Sequence, residues 1–168
     1  MENPHTTEEW KALINQVVEA NNLDDQLIYI QVTRGVAPRK HAFPKEVKAT
    51  VLIMANPLVL PSAEIRERGV ECVTMEDRRW LNCQIKSTSL LGNILAAQYA
   101  VEHNVLETIQ FRDGFLSEGS SSNIWVVKNG QLLAPPKDNL ILEGIRYGLF
   151  EELAKEADIP FEARPISK

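Results

Sequence analysis

Two turn dipeptides, Asp113-Gly114 and Asn129-Gly130, set the strongest constraint on how this chain folds. Both are favoured in two-residue hairpin loops, whose central residues need positive φ angles. Each dipeptide separates two short runs with strand-like composition, namely 108–112 from 115–116 and 123–128 from 131–134. The pattern therefore predicts two antiparallel hairpins in the C-terminal half of the chain.

Apolar residues at helical spacing predict three helices around these hairpins. The pattern Thr6-Thr-Glu-Glu9 is a capping box, with Thr6 as the N-cap and Glu9 reaching back to it, and it opens an amphipathic helix over residues 7–21. Two further helices are predicted over residues 90–102 and 145–157. The buried face of the last helix is expected to consist of Ile145, Leu149, Leu153 and Ala157.

Runs rich in β-branched and aromatic residues predict the remaining strands. Residues 27–33 are expected to form a buried strand, and residues 160–165 the start of another. Further strands are predicted over 48–54 and 69–75, with a short one inside 79–86.

Prolines mark one convincing linker, where Asn56-Pro57 and Pro61-Ser62 punctuate residues 55–63. We therefore expect an α+β chain in two partial domains. A small mixed α/β domain would span residues 1–58 and a linker residues 59–63. A larger barrel-like β domain with helices would span residues 64–168.

Composition excludes several classes of function. With 168 residues, 44% of them hydrophobic, the chain can bury a core. Its net charge of −5 and the lack of a basic stripe argue against nucleic-acid binding. No apolar run is long enough to span a membrane, and the N-terminus lacks a secretion signal. The two cysteines and three scattered histidines show no metal-binding spacing, so we expect a reducing, cytoplasmic setting and no metal site.

Lys86 is the residue that most invites a chemical explanation, because it follows an apolar-polar run and stands just before a predicted helix. In a partly desolvated pocket, a lysine amine loses its proton more easily and can attack carbonyl groups to form a Schiff base. The alternative is that Lys86 ends a strand edge and reaches into solvent, which is the commoner role of a lysine.

Three stretches decide between these alternatives. Arg79-Trp80, Ile85-Lys86-Ser87 and Leu90-Leu91-Gly92-Asn93 together resemble the lysine segment of the fold-type IV pyridoxal-phosphate enzymes, the class IV aminotransferases. Glu118-Gly-Ser-Ser-Ser-Asn123 resembles the segment whose acid contacts the cofactor ring. Both are shared with branched-chain aminotransferases and aminodeoxychorismate lyases. Val32-Thr-Arg-Gly-Val-Ala-Pro-Arg-Lys-His-Ala-Phe-Pro44 resembles the substrate-carboxylate loop of D-amino-acid aminotransferases in particular.

This resemblance implies a D-amino-acid aminotransferase-like fold, pyridoxal 5′-phosphate as cofactor, and transamination of D-amino acids to 2-oxo acids. Lys86 would hold the cofactor as a Schiff base and then act as general base. Glu118 would keep the ring nitrogen protonated, whereas without the resemblance it would be an exposed hairpin glutamate. The other cofactor-binding candidates are Ser121, Ser122, Asn123, Gly144, Ile145 and Arg146.

The phosphate is expected at Glu143-Gly144-Ile145-Arg146, where unpaired N–H groups and the helix dipole favour an anion. Many relatives carry threonine in place of Arg146. With arginine at this position the backbone N–H groups can still bind the phosphate, but the contact from a threonine hydroxyl is lost. Arg146 would instead bind the phosphate itself or point to solvent.

Arg39 and His41 are the expected substrate-binding residues, because the planar arginine fork matches a carboxylate. In the family this loop reaches the active site of the partner subunit, which implies a homodimer. A solvated basic loop is the alternative, and Arg34 is a second candidate in the loop to which we assign no role.

The family also begins with strands ahead of the first helix and continues past Lys168, so the chain is either a fragment or a natural short form. Besides D-amino-acid transamination, three functions stay open. Two are enzymes of the same fold, a lyase acting on aminodeoxychorismate and a branched-chain aminotransferase. The third is a catalytically inactive cofactor-binding or interaction module.

Overall fold

The computed structural model describes residues 2–21 and 23–168 and shows a mixed α/β fold, as the sequence predicts. The chain divides into two compact units, Met1–Ala63 and Glu64–Lys168. In chain order the elements are α1 (Thr7–Asn21), β1 (Gln26–Thr33), β2 (Thr50–Pro57), α2 (Ala63–Arg68), β3 (Cys72–Glu76), α3 (Leu91–Glu102), β4 (Glu107–Arg112), β5 (Phe115–Gly119), β6 (Val126–Lys128), β7 (Gln131–Ala134), α4 (Ile145–Glu156) and β8 (Phe161–Ala163). No helix in the described ranges is long and apolar enough to cross a bilayer.

The first unit packs α1 against an antiparallel pair formed by β1 and β2. The predicted capping box is confirmed: the Thr6 N–H donates to Glu9 Oε2 at 2.8 Å, and the Glu9 N–H donates to Thr6 Oγ1 at 3.3 Å. The strand predicted over residues 27–33 forms as β1, but its predicted burial is wrong, since Leu27 and Ile30 are 54% and 41% exposed. A two-stranded sheet with one helix leaves much of its surface uncovered.

The second unit contains two three-stranded sheets, with strand orders β3-β4-β5 and β6-β7-β8. Both predicted hairpins are confirmed, with β4 paired to β5 and β6 paired to β7. The turn residues have the required positive φ angles, 51° and 81° at Asp113-Gly114 and 53° and 75° at Asn129-Gly130. The predicted last strand also forms, as β8 beside β7.

The core of this unit joins the two sheets to the end of the chain. Leu116 of β5, Leu133 of β7 and Ile166 form one buried cluster. The Leu116 N–H donates to the Ile166 carbonyl at 2.8 Å, so the last residues are fixed beside β5. A second cluster contains Ala134, Ile141 and the fully buried ring of Tyr147.

Helix α4 buries a different face from the predicted one. Ile145 is 96% exposed, Leu149 and Leu153 are about half exposed, and Ala157 is also exposed, whereas Tyr147 and Ala154 are buried. Tyr147 decides the orientation, because its ring packs against Phe161 and its hydroxyl donates to the Pro135 carbonyl at 2.6 Å.

The predicted short strand inside residues 79–86 is wrong, because this segment forms turns. The Cys83 N–H donates to the Asn139 carbonyl at 2.8 Å, and the Ile85 N–H donates to the Asn82 carbonyl at 3.1 Å, so neither joins a sheet ladder. Helix α3, in contrast, forms as predicted and packs through the small residues Ala96 and Ala100. The Thr108 hydroxyl donates to the Ala96 carbonyl at 2.7 Å, so helix and sheet lie too close for larger side chains.

Candidate active site

Glu118 lies near the end of β5 and is buried, at 7% exposure. Its Oε1 accepts a hydrogen bond from Arg79 Nη1. Its Oε2 accepts from the Leu142 N–H at 2.8 Å and from Asn123 Nδ2 at 3.4 Å. Burial raises the pKa of Glu118 above its ordinary value, although the charge of Arg79 and the Leu142 hydrogen bond oppose the shift.

Arg79 connects Glu118 to a second buried carboxylate. Its Nε and Nη2 donate to the two carboxylate oxygens of Asp77 at 2.9 and 2.8 Å. Asp77 also accepts from the Ser117 hydroxyl at 2.8 Å and pairs with Arg112 at 3.0 Å. Burial alone would raise the pKa of Asp77, but the hydrogen bonds and charge of Arg79 lower it to about 2. The Asp77 carboxylate therefore stays charged across the physiological pH range.

Sequence reasoning missed most of this network. Arg79 belongs to a recognised motif but received no role, and neither Asp77 nor Arg112 was singled out. One signal was available, since Asp77 follows directly after the strand β3. No local pattern links it to Arg112 or Ser117, because these contacts join the ends of β3 and β4 to β5.

Lys86 and Glu118 line the same small pocket, which has a volume of about 90 Å³. Lys86 stands in the irregular segment between β3 and α3. The expectation of a partly desolvated amine is not met, since Lys86 is exposed and its apolar neighbours Ile85 and Leu90 are also exposed. The turn conformation of this segment explains the difference, because it does not place Lys86 at the end of a buried strand. The other lining residues are Arg79, Trp80, Cys83, Ile85, Ser87, Ser89, Leu90, Asn93 and Leu142.

The serine run after Glu118 is organised by Glu107. The carboxylate of Glu107 accepts from the Ser120 N–H at 2.9 Å and from the Ser122 hydroxyl at 2.7 Å. Burial would raise the pKa of Glu107, but these serine hydrogen bonds lower it below its ordinary value. Ser121 and Ser122 are both exposed, and the Ser122 hydroxyl has Glu107 as its partner.

Asn123 joins Glu118 to the start of α4. Its Nδ2 donates to the Leu142 carbonyl at 2.8 Å, and its Oδ1 accepts from the Gly144 N–H at 3.2 Å. Gly144 is the N-cap of α4, and no side chain among the described residues caps the helix there. The first N–H groups of a helix have no intrahelical acceptor. The exposed residues Ile145 and Arg146 therefore offer an anion-binding helix end.

Arg39 and His41 belong to the first unit, in the loop between β1 and β2, and both are exposed. In the same loop the Arg34 guanidinium lies 4.5 Å from the centre of the Phe43 ring. The pocket that contains Lys86 and Glu118 is built from the second unit alone.

The fold agrees with the comparisons with known proteins. The chain belongs to the amino-transferase class IV family, whose sequence profile matches residues 1–168. Over 159 residues it is 42% identical to the D-alanine aminotransferase of Staphylococcus haemolyticus, covering 94% of this chain and 56% of that protein. It is 37% identical over 160 residues to the D-alanine aminotransferase of Bacillus licheniformis, covering 95% and 56%. The chain thus spans about half the length of the curated relatives it matches.

Solved structures show the same architecture. A branched-chain aminotransferase from the archaeon Thermoproteus uzoniensis superposes with a TM-score of 0.84 at 27% identity, covering 98% of this chain and 57% of that one. The branched-chain amino acid aminotransferase of Escherichia coli superposes with a TM-score of 0.82 and covers 100% and 58%. At 24% identity the second likeness shows the fold alone. A further branched-chain aminotransferase of this fold was solved with pyridoxamine 5′-phosphate and superposes with a TM-score of 0.86 at 21% identity, covering 100% and 57%.

Replacing Gly144 by alanine tests the connection between Asn123 and α4. An added Cβ would overlap Asn123 Oδ1, so the amide would have to leave its partners Gly144 and Leu142. Gly144→Ala should therefore lower the free energy of unfolding by about 1–3 kcal/mol in a urea titration.

Gly148→Ala is the matched control, because a Cβ there meets no atom of the described chain within 4 Å. This change in the interior of α4 should raise stability by roughly 0.5–1 kcal/mol. Equal stabilisation by both substitutions would show that Asn123 is not held against Gly144.

Proposed function

We propose that this chain forms the core of a pyridoxal-phosphate-dependent aminotransferase that converts D-amino acids to 2-oxo acids. The observation that carries the proposal is the pocket lined by both Lys86 and Glu118, an amine and a buried carboxylate brought together from distant parts of the sequence. Family membership supports it, as do relatives named D-alanine aminotransferase at 37–42% identity.

The residues present fit the cofactor. Lys86 offers a primary amine to its aldehyde group, and the start of α4 offers backbone N–H groups to its phosphate. Glu118 accepts three hydrogen bonds from donors in the described chain, and two carboxylate oxygens have about four acceptor positions. One position therefore remains for a protonated ring nitrogen. Bound there, pyridoxal 5′-phosphate would supply an electron sink for bond breaking at the substrate α-carbon.

Each residue of the pocket then has a defined task. Lys86 would hold the cofactor through Nζ and, once released, move the proton at the same atom. Glu118 would accept the hydrogen bond of the ring nitrogen and favour its protonated form. The remaining residues that we assign to cofactor binding are Ser121, Ser122, Asn123, Gly144, Ile145 and Arg146.

The substrate class rests on Arg39 and His41. Their exposed loop offers an arginine fork and an imidazole to a carboxylate. A lyase acting on aminodeoxychorismate has no need for an α-carboxylate site that accepts many amino acids, so the loop favours transamination. We further propose that the enzyme is a homodimer in which this loop serves the partner's pocket. We place it in the cytoplasm, which agrees with two cysteines that are both unpaired.

Lys86→Ala should abolish transamination without unfolding the protein, because this exposed side chain contributes little to packing. Borohydride reduction of the holoprotein, followed by peptide mapping, should find the cofactor on Lys86. Lys128→Ala, which removes an exposed lysine of β6, should keep full activity as the control. Label on Lys48 or Lys128 would contradict the assignment.

Arg39→Ala tests the substrate class. A charge-assisted hydrogen bond is worth about 1.5–3 kcal/mol, so kcat/KM for D-alanine should fall roughly ten- to a hundredfold. A primary amine without a carboxylate should react as before. Arg34→Ala provides a control in the same loop and should change kcat/KM for D-alanine much less. Equal losses for amine and amino acid would remove the support for D-amino acids and leave the other members of the fold as candidates.

A further inference from the structure

The side chain of Arg79 is placed between two buried carboxylates, with an exposed fraction of 3%. A guanidinium has five N–H donors. Four hydrogen bonds engage them: two to Asp77, one to Glu118 and one to the Leu140 carbonyl at 3.0 Å. A surface arginine retained only for solubility would have no such set of partners.

Asp77 fixes the plane of this guanidinium through its two hydrogen bonds to Nε and Nη2. Its backbone N–H donates to the Phe111 carbonyl at 2.8 Å, and its carboxylate is held by Ser117 and Arg112. The bidentate contact defines one orientation of Arg79, which a lysine could not reproduce because its ammonium lacks a planar fork. The contacts of Asp77 with the sheet β3-β4-β5 thereby restrict the orientation of the Arg79 guanidinium, which contacts Glu118.

Arg79 also fixes the segment that leads into α4. It binds the Leu140 carbonyl, while Glu118 accepts from the Leu142 N–H two residues later. Arg79 and Glu118 are hydrogen-bonded to each other, and together they hold the chain segment that enters the anion-binding helix end.

We propose that Arg79 is a positioning residue, whose guanidinium, aligned by Asp77, holds the Glu118 carboxylate ionised and oriented at the pocket that it shares with Lys86. This proposal rests on the proposed function, which gives the orientation of Glu118 its role in cofactor binding. The effect of Arg79 on the ionisation of Glu118 can be measured without any reaction.

The charged and titratable groups around Glu118 come from three parts of the second unit. They are Arg79 and Asp77 after β3, Arg112 of β4, and Cys83 and Lys86 of the pocket segment. Burial raises the pKa of Glu118, Arg79 lowers it, and the charge of Asp77 raises it. Loss of Arg79 should therefore raise the pKa further. Local unfolding would have the opposite effect, because it would expose Glu118 and return its pKa toward the ordinary value.

The deciding experiment is a carbon-detected NMR titration of glutamate-labelled full-length protein without added cofactor, with Glu118 assigned by the signal missing from Glu118→Gln. Arg79→Gln should raise the pKa of Glu118 by about one pH unit or more. Arg78→Gln is the matched control: it removes the same charge one residue away, where Arg78 pairs only with the exposed Glu76 in the described chain. It should leave the pKa of Glu118 unchanged. A pKa that is unchanged or lowered in Arg79→Gln would overturn the proposal.

Arg79→Lys separates charge from orientation and carries the test if Arg79→Gln does not fold. The lysine keeps a positive charge, so the pKa of Glu118 should stay close to that of the parent. With the fork lost, kcat of the holoenzyme should fall roughly tenfold or more. Unchanged kcat would overturn the orienting role.

The acid limb of the kcat profile provides an independent readout in the holoenzyme. Glu118 must be ionised for its proposed task, so a higher pKa in Arg79→Gln should move this limb to higher pH. If peptide mapping fails to find the cofactor on Lys86, the proposed function fails while the cofactor-free titration still stands. If Lys86 is labelled but the pKa of Glu118 does not respond, only the role of Arg79 is lost.

Discussion

The ion pair that Arg79 forms with two buried carboxylates is the interaction on which the site of the second unit depends. Removing one partner from such a network typically costs about 3–5 kcal/mol, because it leaves an uncompensated buried charge. In this structure the charge of Arg79 is compensated, because Asp77, Glu118 and the Leu140 carbonyl together accept hydrogen bonds from most of the guanidinium donors. The ends of β3 and β4, the strand β5 and the chain before α4 are therefore held in one arrangement.

Two further polar contacts extend this arrangement toward an anion site. Asn123 is hydrogen-bonded to both Glu118 and the Gly144 backbone. Glu107 accepts hydrogen bonds from the serine run that lies between Glu118 and Asn123 in the sequence. The pocket thus combines a fixed carboxylate with an accessible lysine, and Asn123 connects that carboxylate to the start of α4. Rigid support behind Glu118, together with an exposed Lys86 in an irregular segment, suits a site in which one group must stay in place and the other must move.

The sequence predicted those parts of the fold whose causes are local. The capping box at Thr6 and the turn at Asn129-Gly130 determine their own geometry, and both form as expected. The buried face of α4 depends instead on where Tyr147 finds space, beside Phe161 and the Pro135 carbonyl, and apolar spacing cannot reveal that. The Asp77–Arg79–Glu118 network likewise depends on contacts between distant strands. Motifs brought Lys86 and Glu118 to attention, while their roles remain predictions that the shared pocket supports.

The most direct test is a crystal structure of the full-length protein crystallised with pyridoxal 5′-phosphate. We expect electron density for the cofactor continuous with Lys86 Nζ, and a ring nitrogen about 2.7–3.2 Å from the Glu118 carboxylate. The phosphate should lie at the start of α4, and Arg79 should remain paired with both Asp77 and Glu118. Cofactor bound away from Lys86, or a Glu118 side chain turned away from the ring, would contradict the account.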